Sequence, residues 1–105
     1  MKVYYGNFTN RKDVEEQFEV KLPRDIHIKF AHYDIDGYEG SAVVVYQQGG
    51  KLYMVEGSHC SCYGLEDQWS PTEETPATLA TYELYGLQDA GLLPVWKRRF
   101  PKVAA

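Results

Sequence analysis

The residues best equipped for chemistry gather in one stretch, Gly57-Ser58-His59-Cys60-Ser61-Cys62-Tyr63-Gly64-Leu65-Glu66-Asp67-Gln68-Trp69. It holds both cysteines of the 105-residue chain, one of three histidines and one of two tryptophans. Three kinds of chemistry can be weighed there. His59, Cys60 and Cys62 are zinc-ligand types, and zinc takes four ligands. In extended backbone the two cysteines project to one side and His59 to the other. A shared ion would need the stretch to curl and a fourth ligand from His32, Asp34 or Asp36. No second Cys-x-x-Cys or His-x-x-x-His pair completes a zinc pattern, so no cofactor is expected. Alternatively, Cys60 or Cys62 could act as a nucleophile with His59 or His32 as base and a nearby carboxylate as orienter. A reactive thiolate needs positive surroundings, whereas these are acidic. In the third and preferred reading the stretch is a fixed shape built for a partner. Its thiols then pack as small hydrophobes, Ser58, His59 and Ser61 bond backbone, and Tyr63 and Trp69 anchor the loop or face the partner. One residue between the cysteines makes a disulfide geometrically poor, so both are expected reduced.

The flanking residues must position this stretch. Lys2 to Gly6 favours a short strand. Asn10 reads as an N-cap, with Asp13 at the positive helix end and Val14 and Phe18 on one face, so a helix is expected from Arg11 to Glu19. Ile26 to Tyr33 alternates as a strand, with Ile26, Ile28 and Phe30 inward and His27, Lys29 and Ala31 on a wet face. Asp34 to Gly40 reads as a polar loop. Its Asp-Ile-Asp-Gly fails the calcium-loop pattern, which needs further ligands and a glutamate at the twelfth place. Ser41 to Gln47 is a strand whose Val43-Val44-Val45 run predicts burial on both faces. Gly49-Gly50 supplies the positive φ angles of a tight hairpin, and Leu52 to Glu56 returns as a third strand. Thr75 and Pro76 open a helix expected to run to Tyr85 and stop at Gly86. Gly91 to Trp96 is apolar and irregular and is expected to be extended.

The fold class expected is α+β: a small antiparallel sheet of three or four strands with two helices on one face. One domain spans residues 1–105, with residues 86–105 as an extended or partly ordered tail. The N-terminus lacks the apolar region of a signal peptide, and no run is long enough to span a membrane. The formal charge is −4, from 11 bases and 15 acids. From Leu52 to Trp96 there are seven acids and no Lys or Arg, a balance that argues against general nucleic-acid binding. The nine tyrosines are expected mostly on half-buried sheet faces, with Tyr38 and Tyr63 exposed.

Several strings carry a resemblance: Thr9 to Phe18, Tyr38-Glu39-Gly40-Ser41-Ala42, Gly50-Lys51-Leu52-Tyr53, Gly57 to Trp69, and Glu73-Glu74-Thr75. Over roughly residues 9 to 85 the chain resembles a family of small uncharacterised bacteriophage and prophage proteins that share a G-S-H-C-S-C-Y-G-L-E-x-Q-W core. The resemblance implies a phage accessory product acting in the bacterial cytoplasm and carries over no activity. The resulting expectation is a non-enzymatic interaction protein that binds, and inhibits, a bacterial host protein such as a defence or transcription factor. Its contact surface would be Tyr38, Glu39, His59, Tyr63 and Trp69, with a homo-oligomer left open. The alternative is a small metal- or thiol-dependent enzyme centred on His59, Cys60 and Cys62, with His32 as a further metal ligand.

Overall fold

A computed structural model of the protein describes residues 1–61 and 63–102. The chain divides into two compact units, Met1–Glu73 and the residues from Glu74 onward. Among the described residues no helix is long and apolar enough to cross a membrane.

In the first unit, β1 (Tyr4–Gly6), α1 (Arg11–Phe18), β2 (His27–Asp36), β3 (Glu39–Gln48) and β4 (Lys51–His59) follow in order, and β5 (Thr72–Glu74) lies at the boundary. The sheet order is β1-β2-β3-β4-β5. β2, β3 and β4 are antiparallel neighbours, while β1 runs parallel to β2 with Tyr4 opposite Ala31. The expected antiparallel sheet of three or four strands is therefore corrected to a five-stranded mixed sheet. The physical reason is the helix between β1 and β2. A strand followed by a helix can cross back and pair in parallel, whereas a tight turn cannot.

Helix α1 starts as its capping residues dictate. The Asn10 side chain accepts from the Asp13 N–H at 2.9 Å, and the Asp13 carboxylate accepts from the Thr9 N–H and hydroxyl. These reciprocal bonds satisfy donors that a helix start otherwise leaves orphaned. Those bonds also hold the Asp13 carboxyl below its usual pKa. α1 buries Val14 and Phe18 against Ala31, Tyr33, Val44 and Val55. Its other side organises the return to β2. Arg11 donates to the carbonyls of Ile26, Leu22 and Pro23, and Glu15 accepts from the Leu22 N–H.

The Val43-Val44-Val45 run is buried on both faces, as expected. Val44 lies beside Ala31 and Val55, and Val45 beside Phe30 and Met54 on the opposite face. The alternation expected for β2 breaks at a register shift between Ile28 and Phe30. Lys29 is left over as the extra residue of a bulge. Residues after it change face, so Ala31 is fully buried rather than wet. Two tight hairpins frame β3. Gly49 and Gly50 both take positive φ, the type I′ pattern expected from the sequence. At the other end, the presumed loop shrinks to Gly37-Tyr38, because Asp36 pairs with Glu39. Gly37 has φ 63° and Tyr38 does not have positive φ, the pattern of a type II′ turn.

The second unit holds α2 (Pro76–Leu79), α3 (Tyr85–Asp89) and α4 (Leu93–Arg99). Thr75 caps α2 as expected, in a reciprocal box with Thr78. The helix stops after one turn, however, where the Thr81 hydroxyl bonds the Thr78 carbonyl. Such local side-chain bonds compete with helix propagation. Gly86 lies inside α3, and Gly91 (φ 72°) is the stop instead. There the Leu92 N–H bonds Leu87 O at 2.8 Å and the Gly91 N–H bonds Gln88 O, the two bonds of a Schellman motif. The segment expected to be extended is helical: Pro94 sits in the first turn of α4 and Lys97, Arg98 and Arg99 in its last, each suited to its end of the helix. Trp96 is fully buried, donates to Leu79 O at 2.9 Å and meets Phe100 edge-on.

Candidate functional site

Strand β4 runs three residues into the stretch expected to be loop, so Gly57, Ser58 and His59 are paired backbone opposite Ala42, Ser41 and Gly40. Gly40 is small for a specific reason. A Cβ there would stand 2.2 Å from His59 Nε2 and 2.7 Å from Cε1, so the imidazole lies directly over the glycine. The ring is fixed at both nitrogens. Nδ1 lies 3.0 Å from the Cys60 carbonyl, and Nε2 lies 2.6 Å from the Tyr33 hydroxyl. A carbonyl only accepts, so Nδ1 carries a proton; in the tautomer with that proton alone, Nε2 accepts from the Tyr33 hydroxyl. Tyr33 is buried, and its pKa is raised by that burial and, secondarily, by the Glu66 carboxylate.

Beyond His59 the loop is held by its own side chains. Gln68 works as a piece of strand: its amide oxygen accepts from the Ser58 N–H, and its nitrogen donates to the carbonyls of Ser58 and Gly64, each at 2.8 Å. The Glu66 carboxylate accepts from the Gly64 N–H at 3.0 Å. Backbone N–H groups of Gly64 and Glu66, with a smaller effect from His59, keep its carboxyl below the usual range. Leu65 is fully buried, and Gly57 leaves room for it, since a Cβ at Gly57 would meet Leu65 Cδ2 at 2.9 Å.

Trp69 stacks on Tyr46 (5.8 Å, 10°) and meets Phe18 edge-on (5.1 Å). These rings belong to a continuous run: Tyr53, Tyr46, Trp69, Phe18, Phe8, Tyr33 and His59 each contact the next. Each such pair contributes roughly 0.5–1.5 kcal/mol beyond its buried area. Trp69 thus serves the core side of β3. Tyr46 is six residues along that strand from Gly40, roughly 20 Å at strand rise.

The surface residues expected from sequence divide accordingly. Tyr38 is 79% exposed and Tyr63 72%. Glu39 and Cys60 are also exposed, whereas His59 and Trp69 are half-buried. Pairing of Gly40 with His59 sets the Gly37-Tyr38 turn and the loop after β4 at the same end of the sheet. Tyr38 lies in the first of these connections with Glu39 directly after it, and Cys60 and Tyr63 lie in the second. The expectation that the thiols act as filling fails for Cys60, because the strand ends at His59 and carries the next residue into solvent. Cys62 lies outside the described residues.

Among the described residues, which do not include Cys62, the geometry assembles neither alternative site. Among the described residues, no group of three or more His, Cys, Asp or Glu side chains could hold a metal ion. His32 and Tyr33 are successive strand residues and point to opposite faces. Since Tyr33 reaches His59, His32 lies across the sheet from it. His32 is itself 3% exposed, and burial lowers its pKa despite the opposing effect of Asp34. For thiol chemistry, both His59 nitrogens are engaged, with the Cys60 carbonyl and the Tyr33 hydroxyl, and neither is offered to the Cys60 sulfur. Gly40, Gln68 and Tyr33 are the positioning residues that sequence reasoning missed. The match of a glycine to an imidazole across a ladder shows only once the register is known.

Compared with known proteins, the chain matches no family model, no curated protein and no solved structure.

Proposed function

We propose that the protein is a non-enzymatic recognition module, acting in the bacterial cytoplasm as a phage-encoded product, that binds and inhibits a host protein. The proposed contact surface is the rim formed by the Gly37-Tyr38 turn and the loop after β4. The supporting observation is that Tyr38 and Tyr63, on two connections at one end of the sheet, are 79% and 72% exposed, while the second connection is held by Gln68, Glu66 and buried Leu65. Exposed aromatics on a rigid support lose little entropy on docking and are frequent binding hot spots. The phage and host parts of this reading rest on the sequence resemblance. Of the five contact residues expected from sequence, Tyr38, Glu39 and Tyr63 are exposed, as direct contact with a partner requires. His59 and Trp69 are half-buried, His59 bonded to Tyr33 and Trp69 packed on Tyr46 and Phe18.

The test is site-specific photo-crosslinking in bacterial cytoplasm, with a benzophenone amino acid at position 38 or 63 and, as control, at the exposed position 51 beside the opposite hairpin turn. One host protein should be captured from positions 38 and 63 and not from 51. Tyr38→Ala with Tyr63→Ala, in chains that keep their circular dichroism, should reduce capture by about tenfold or more, as hot-spot truncations do. Equal capture from position 51, or capture indifferent to both tyrosines, would sink the reading.

A further inference from the structure

The charges around the two tyrosines narrow the chemistry of what docks there. Asp36 and Glu39 stand directly opposite each other at the end of the β2–β3 ladder, and both are exposed. Like charges facing across a strand pair are destabilising. Among the described residues no ion pair involves Asp36 or Glu39. Residues 34–39 and 56–67 contain no Lys or Arg at all. In the loop after β4, Asp67 is exposed in a left-handed conformation (φ 63°), and Glu66 accepts from backbone N–H groups that lower its pKa. The two connections at this end of the sheet and the strand ends beside them therefore carry two exposed tyrosines and the exposed carboxylates of Asp36, Glu39 and Asp67, in segments that contain no Lys or Arg.

Resting on the recognition reading above, we propose that the segment docking on this rim is an arginine-bearing stretch of a basic protein surface. A guanidinium can lie on a tyrosine face while its planar fork bonds a neighbouring carboxylate. The ammonium of lysine is more strongly hydrated and lacks the fork. Bringing a guanidinium between Asp36 and Glu39 would also remove the repulsion that the free protein carries.

Nuclear magnetic resonance titration of the full chain, labelled with nitrogen-15, tests this with defined probes: 12-residue peptides alternating arginine and glycine, lysine and glycine, or glutamate and glycine. The arginine peptide should shift amides at residues 36–40 and 63–67 and bind more tightly than the lysine peptide. Tyr38→Ala with Tyr63→Ala should weaken it by about five-fold or more. Asp36→Asn with Glu39→Gln, which keeps shape and removes charge, should weaken it as well. Shifts absent from the rim, equal affinity for the lysine peptide, or indifference to either double variant would overturn the proposal. The crosslinking experiment separates the two levels. A partner captured through position 63 by a segment without arginine overturns this inference and leaves recognition standing, whereas no capture at 38 or 63 removes both.

Discussion

Gly40, His59 and Tyr33 act as one unit, and single substitutions should show it. In Gly40→Ala the new methyl group must displace an imidazole whose two nitrogens are both bonded. Overpacking of this kind typically costs about 1–3 kcal/mol, which urea denaturation would measure. Tyr33→Phe removes the donor to Nε2 and should cost about 1 kcal/mol. The two changes break the same bond, so their combined cost should fall short of the sum. Additive costs would mean that the His59 ring is not held by Tyr33. None of this was visible in the sequence as such. Gly40 looked like part of a polar loop, because the two-residue turn at Gly37-Tyr38 fixes its partner only through strand register. What could be read from residue type alone was part of the exposure: Tyr38 in a Gly-flanked turn and Tyr63 beside Gly64 are open, but so is Tyr85, at 80%, which its residue type did not single out.

At the scale of elements, legibility followed local bonding. The start of α1 was written in Asn10 and Asp13, and the β3–β4 hairpin in Gly49-Gly50, because those residues act on backbone a few positions away. The end of α1 was less plain. Glu19 takes φ 54° and closes the helix through Val20 N–H to Glu15 O, a position that favours glycine. Glu19→Gly should therefore stabilise the protein, by up to about 1 kcal/mol given the left-handed strain of other residues, read as a higher denaturation midpoint. Elements fixed by distant partners were missed. The parallel placing of β1 depends on how α1 packs, and the bulge at Lys29 on which side of β2 must be apolar next. In the second unit the signal for α4 was present, in Pro94 followed by Lys97-Arg98-Arg99, but the apolar run before it reads equally as extended chain.

For the molecule as a whole, the burial of His32 makes stability depend on pH, because burial disfavours the charged imidazole. The folded-state pKa of His32 lies below the ordinary value of 6.5, so the unfolded chain binds the proton more readily. Its contribution to stability is complete above about 6.5 and is lost as the pH falls from there through the folded value. Unfolding free energy should decline on acidification through this window, and the decline should be smaller in His32→Leu; an unchanged slope would mean that His32 is not a source of the dependence. The two tryptophans give a separate handle on the two units. Trp96 is fully buried while Trp69 is half-buried, so Trp69→Phe, which retains Trp96, should emit at shorter wavelength than Trp96→Phe.

The amide of Gln68 has one further effect. By bonding both the N–H and the C=O of Ser58, it fills the position another polypeptide would take beside the far end of β4. Bare strand edges recruit other chains. With alanine at this position, one N–H and one C=O of that edge would lose these partners, so the side chain that shapes the loop also shields a short piece of strand edge.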